Sequence, residues 1–226
     1  RRGRSVTLFE YYGELSPYER AKLTSAPSML FNFAAAAFKF ALGLSSSVAA
    51  LCISGLYSFF CGASKRIYFR GMTASMGDES RECGYYLLIG VVLTVSSAVY
   101  CIYMYFWSEG ASGSPGAYAT AAACGIALFE LVASVSGLVR ARRDGDLLME
   151  GLRFVNLAAA FAAIVTAATA VCASVGFEDP RFPVYGGRFG VIMGGVSVLT
   201  GIYMTVKGSC LVRRYAARER VRIIER

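Results

Sequence analysis

Glu130 stands thirteen residues into the apolar run Tyr118–Val139. A carboxylate surrounded by hydrocarbon must take up a proton or find a base, because burying an isolated charge costs more than neutralising it. Such a group is suited to carrying a proton or balancing a charged solute. Lys39, in the run Ser28–Gly43, is the nearest base in type. Counting 1.5 Å per residue leaves the two backbones roughly 10 Å apart in depth, so either the side chains meet or Lys39 snorkels outward. Arg153 and Lys207 are expected to snorkel inward. Uncharged polar groups fall into stripes at helical spacing. Asn32, Lys39, Gly43 and Ser46 share one face, and Ser47, Ser54, Tyr57, Ser58, Cys61 and Lys65 share another. Ser134 follows Glu130 by one turn, and Asn156 marks a further run. Glu130, Lys39, Asn32, Ser54, Tyr57, Cys61 and Asn156 therefore form a candidate polar pathway for a small solute or ion. The alternative use of such groups is ordinary interhelical hydrogen bonding, at ~0.6 kcal/mol each.

The elements that must position these residues are membrane-spanning helices. The chain has 226 residues, 56% hydrophobic and 17% charged, and a mean hydropathy of +0.51. A soluble domain would carry about 25% charged residues. Runs near Ser28–Gly43, Ser47–Ser64, Gly84–Trp107, Tyr118–Val139, Leu147–Ser174 and Gly186–Val212 approach the ~20 apolar residues that cross a hydrocarbon core. The runs are apolar or small all round, unlike the one-sided helices of a soluble bundle. The fold expected is all-α, a bundle of six transmembrane helices over residues 28–212, with an interfacial segment 1–27 before it and a basic tail 213–226 after it. The first two helices, linked only by Leu44-Ser45-Ser46, should form a tight hairpin.

Charge gives the orientation. Arginine and lysine concentrate before the first run, between the second and third (Lys65, Arg66, Arg70, Arg81), between the fourth and fifth (Arg140, Arg142, Arg143), and after the sixth. The other connections hold only Arg181, with Arg188 just inside the sixth run. The positive-inside rule then places both termini in the cytoplasm, in a multi-pass protein of the plasma membrane. The net charge of +8 is accounted for by this layout, so no nucleic-acid partner is expected.

Ser16-Pro17-Tyr18-Glu19 reads as a capping box with proline at the first helical position. It predicts a short surface helix, ending before Pro27. Gly110–Gly116 and Phe177–Tyr185 read as external loops. The tail places Ala217, Val221 and Ile224 on one face among arginines, which suits a helix lying on anionic inner-leaflet lipids; a solvated charge run that only fixes topology is the alternative. Gly190, Gly194, Ser197 and Gly201 form a small-residue ridge for helix packing, either within the bundle or across a homodimer. Ala159, Ala163 and Ala167 offer the same geometry. The seven cysteines contain no C-x-x-C pair, so neither a disulfide nor a metal or other cofactor is expected.

The stretch Asn32, Lys39, Gly43, Ser47 and Ala50 to Cys61 resembles the first two helices of the cation diffusion facilitators. That resemblance implies a six-helix transmembrane fold with both ends cytoplasmic. The family binds metal through His/Asp pairs one turn apart on its second and fifth helices, and the second-helix positions correspond here to Tyr57 and Cys61. The chain has no histidine, and zinc needs about four N, S or O ligands, so the resemblance extends to the fold without the metal site. Arg81-Glu82-Cys83-Gly84 and Arg140-Ala141-Arg142-Arg143 are similar to segments of six-helix membrane proteins of Gram-positive bacteria, a likeness that brings no activity with it. The expected function is transporter-like, with a polar pocket among the first, second, fourth and fifth helices. The alternative is a non-transporting membrane scaffold. An enzyme is not expected, because no acid pair stands at reactive spacing.

Overall fold

The computed structural model describes residues 17–46, 49–75, 78–110, 147–174 and 181–224, with isolated positions 121, 124, 125, 128, 129 and 132. All five elements among the described residues are helices: α1 Pro17–Ser46, α2 Ala49–Ala74, α3 Glu79–Gly110, α4 Leu147–Ser174 and α5 Arg181–Ile224. Among the described residues, four segments are long and apolar enough to cross a membrane: Ala26–Ser45, Glu79–Phe106, Leu147–Thr169 and Tyr185–Arg218. The six described positions of the predicted fourth span are also helical, whereas Glu130, Ser134 and the loop 111–116 lie outside the described residues.

Several boundaries differ from those expected. Helix α1 begins at Pro17 and runs through Pro27 to Ser46 without a break, so the separate surface helix does not exist. A proline inside a helix frees one carbonyl a turn earlier; here that is Leu23, an exposed residue where other groups can satisfy it. Helix α2 continues ten residues beyond Ser64, because Tyr68 and Met72 on its last turns are buried in the core. Helix α5 absorbs Arg181–Tyr185, with Pro183 in its first turn where the missing N–H is harmless. It also absorbs the basic tail to Ile224. Its 44 residues make a rod about 66 Å long, so the tail prolongs the last helix rather than forming a separate element. At the start of α3, Asp78 Oδ1 accepts the amide hydrogens of Ser80 and Arg81 at 3.1 and 3.2 Å, an N-cap reinforced by Glu79 and Glu82 in the first turn.

The tightest packing joins α3 to α5, running antiparallel. Gly190 faces Met104, Gly194 faces Cys101, Gly201 faces Thr94 and Gly208 faces Leu87. A side chain at Gly201 would place its Cβ 2.7 Å from the Thr94 backbone nitrogen, and one at Gly90 would come within 2.9 Å of the Thr205 nitrogen. The two backbones approach this closely only because glycine occupies both places. Ser197, on the same ridge, is buried and donates to the Met193 carbonyl. The ridge is thus filled within one chain, and a homodimer would need another surface. Around it, Tyr86, Ile89, Leu93, Val155, Val165 and Met204 form the buried apolar core.

Helices α1 and α2 form the expected hairpin, with Gly55 against Ala36 and Phe40, and Gly62 against the Phe33 ring. Lateral partners gather the ends. Ser28 meets Lys65, Tyr68 meets Met149, and Glu150 meets Lys207. The starts of α1, α3 and α4 and the ends of α2 and α5 consequently lie at one end of the bundle. Arg66, Arg70, Arg81, Arg213, Arg214 and Arg218 are all exposed there.

Candidate functional site

Lysine is rarely buried, because its ammonium must be held by other polar groups once it leaves water. Lys39 is nevertheless 1% exposed, and its Nζ donates to Ser58 Oγ at 2.9 Å. It therefore does not snorkel outward; the opposing hydroxyl on α2 holds it inside the bundle. A second lysine does the same one level nearer the basic end. Lys65 is 3% exposed, with its Nζ 2.7 Å from Ser28 Oγ. Between these two levels Asn32 is 4% exposed, and its Nδ2 has no hydrogen-bond partner.

The remaining candidate residues extend this region across α2. Ser54 Oγ lies 3.0 Å from Thr166 Oγ1 on α4, and the Thr166 hydroxyl also donates to the Ala162 carbonyl at 2.8 Å. Tyr57 Oη lies 3.2 Å from Ser97 Oγ on α3, and its ring packs on Tyr100 at 5.1 Å between centroids. Cys61 is buried one turn further along α2. The two positions that resemble metal-ligand sites are thus parts of a helix interface. Among the described residues no group of three or more Cys, Asp or Glu is arranged to hold a metal ion.

Helix register brings the dispersed positions to common levels. On α1 and α2 the partners are Ser28 with Lys65, Phe33 with Gly62, and Lys39 with Ser58. On α2 and α4 they are Ser54 with Thr166 and Tyr68 with Met149. Asn32, Cys61 and Asn156 therefore fall at about one depth, with α2 between α1 and α4. The predicted fourth span touches both flanking helices: Phe129 packs on Phe31 of α1 at 4.4 Å between ring centroids, and Cys124 Sγ lies 3.9 Å from the Ala167 carbonyl of α4. Glu130 itself is outside the described residues.

A second charged group was not anticipated. Lys207 Nζ lies 2.6 and 2.8 Å from the two Glu150 oxygens, and the Tyr86 hydroxyl donates to Glu150 Oε1 at 3.1 Å. The ammonium also stands 5.8 Å from the centres of the Tyr86 and Tyr203 rings. Lys207 thus pairs rather than snorkels, and Glu150 clasps the start of α4 to α5. The two side chains remain about a third exposed (33% and 30%), so the clasp is weak. Arg153, expected to reach for the inner face, keeps its Nε buried with no hydrogen-bond partner. Thr166 and Ser97 were also missed, since a hydroxyl inside an apolar run carries no mark of its partner.

Compared with known protein families the sequence matches none, and no curated protein matches it. The site's chemistry thus rests on its own geometry. It offers hydrogen-bond donors and two buried ammonium groups within an apolar bundle.

Proposed function

We propose that the chain is a transporter-like integral membrane protein of six crossing helices, with both termini cytoplasmic and the basic end of the bundle facing inward. A small solute or ion is admitted to the polar interior bounded by α1, α2, α4 and the span around Glu130. The observation that carries this reading is Lys39. A scaffold gains nothing from burying an ammonium where an apolar side chain would pack more cheaply, and intramembrane charges mark ion and solute paths. Glu130 is assigned as the proton-coupling or counter-charge group, with Asn32, Tyr57 and Asn156 along the path. The likeness to cation diffusion facilitators extends in this reading to the transmembrane fold and not to zinc, and no enzymatic step is assigned.

Flux measured in proteoliposomes tests this. Wild type is expected to move at least one solute of a panel of ions, amino acids and sugars, and Glu130→Gln to slow it, since intramembrane charges mark ion and solute paths. No flux, or flux indifferent to that change, would sink the mechanism. Reporter fusions after Gly116 and after Arg143 should report opposite sides of the membrane; the same side for both would remove the six-helix topology. The tight α3–α5 ridge favours a second reading, a non-transporting scaffold, which predicts no flux at all.

A further inference from the structure

We infer that the seam between α2 and α3 binds a membrane-dissolved molecule with carbonyl oxygens on an apolar body, of the quinone type, through the Tyr100 hydroxyl. The inference needs α3 to cross the membrane but is independent of transport. A crevice of about 170 Å³, open on one side, lies between the two helices. Leu56, Tyr57 and Phe60 bound it on α2, and Ser96, Val99 and Tyr100 on α3. Val99 is 42% exposed, so the crevice opens on the outer surface of the bundle, toward lipid.

Tyr100 is the residue that points to a ligand. It is 3% exposed, and its hydroxyl is buried with no hydrogen-bond partner among the described residues. An orphan of this kind costs its full desolvation, which native proteins almost always avoid. The ring is held between Tyr57 of α2 and Gly194 of α5, so the hydroxyl cannot swing away to find water. Side chains on a helix lean toward its start, which carries this hydroxyl toward the turn of Ser96 in the crevice wall. Ser96 already donates to the Leu93 carbonyl, and Tyr57 is paired with Ser97. Tyr103, three residues on, has a second buried hydroxyl without a partner. Two donors on one helix thus lack acceptors.

Depth selects the ligand. Ser96 stands ten residues from the end of the crossing segment at Phe106, about 15 Å, which is half of a ~30 Å hydrocarbon core. Water is scarce at that level. The ester oxygens of phospholipids stay at the membrane interface, so their chains can fill the crevice but leave the hydroxyl orphaned. A carbonyl that reaches this depth belongs to a molecule dissolved wholly in the hydrocarbon. The closed part of the crevice has room for about one oxygen-sized group. The carbonyl oxygen therefore enters, while the ring and tail remain outside against Phe60, Val99 and lipid. A molecule with carbonyls on opposite sides of a ring supplies one acceptor for each orphaned tyrosine.

The full chain in nanodiscs tests the assignment. Its melting is followed against a decyl benzoquinone with every other ring position methylated, which cannot add a thiol. The benzene of the same substitution, which has no oxygen, is the control. The quinone should raise the melting temperature in a saturable way, and the benzene should bind at least tenfold more weakly. Tyr100→Phe keeps the ring and removes the donor. Quinone affinity should then fall about tenfold, the loss of one hydrogen bond, while ligand-free melting stays the same or rises because the orphan is gone. Val99→Trp, at the exposed mouth, should block the quinone and leave ligand-free melting unchanged. Equal binding of quinone and benzene, or quinone binding indifferent to either substitution, overturns the assignment. Absence of saturable stabilisation by the quinone also overturns it, whatever the flux measurements return, and leaves the transport reading standing or falling on flux alone.

Discussion

The two halves of this bundle solve the problem of packing helices in different ways. Between α3 and α5, glycines at 90, 190, 194, 201 and 208 let backbones touch, and the contacts are with Met104, Cys101, Thr94, Leu87 and Met204. Between α1, α2 and α4 the contacts pass through Lys39, Ser58, Ser54, Thr166 and Lys65. In lipid there is little hydrophobic drive to bring helices together, so close van der Waals contact is the economical solution. The first interface follows that rule. The second departs from it by placing ammonium groups and an unpartnered amide in its seam, and a departure of that kind belongs with function.

The contrast can be broken most decisively at Gly201. Gly201→Leu is expected to lower stability by about 3 kcal/mol, since the new side chain meets the Thr94 backbone rather than a movable side chain. Unchanged melting in detergent would mean that the α3–α5 contact is not the rigid half. Glu150→Gln should cost about 0.5 kcal/mol, as expected for a partly exposed pair, and the loss should shrink at high salt. A larger, salt-independent loss would show the clasp with Lys207 to be desolvated and part of the rigid half. The smallest effect sharpens the polar half. A double-mutant cycle of Ser54→Ala and Thr166→Val should return a coupling of ~0.6 kcal/mol, and a value near zero would remove that hydroxyl pair from the count of stabilising contacts.

Part of the rigid half was legible in the sequence, because small residues at spacings of four, three and four (Gly190, Gly194, Ser197 and Gly201) declare a packing face without reference to a partner. The span Leu147–Ser174 was read with the bounds of helix α4 for a similar reason: an alanine-rich apolar run has sharp edges. The ends of α1, α2 and α5 were misread because proline and arginine were taken as stops. Pro27 lies in an exposed part of a helix that tolerates it, and Arg66 and Arg70 point outward while Tyr68 and Met72 continue the core. Burial of Lys39 and the pairing of Lys207 could not be read at all. Each depends on a partner far along the chain, 19 residues away for Ser58 and 57 for Glu150, and helix register alone decides whether such groups meet. The polar stripe was visible; which of its members touch was not.

The link between α1 and α2 bears on how the protein enters the membrane. Helix α2, with Lys65, Arg66 and Arg70, is not among the helices apolar enough to cross on their own, and α1 carries Lys39. On translocon scales a lysine at the centre of a crossing helix costs about 2.5–3.5 kcal/mol. Each buried ammonium finds its hydroxyl on the other member of the hairpin, Lys39 on Ser58 and Lys65 on Ser28. Insertion is thus cheapest when the two helices leave the translocon together, and a ribosome stalled between them would leave Lys39 without its Ser58 hydroxyl. For this hairpin, the order of synthesis is part of the stability.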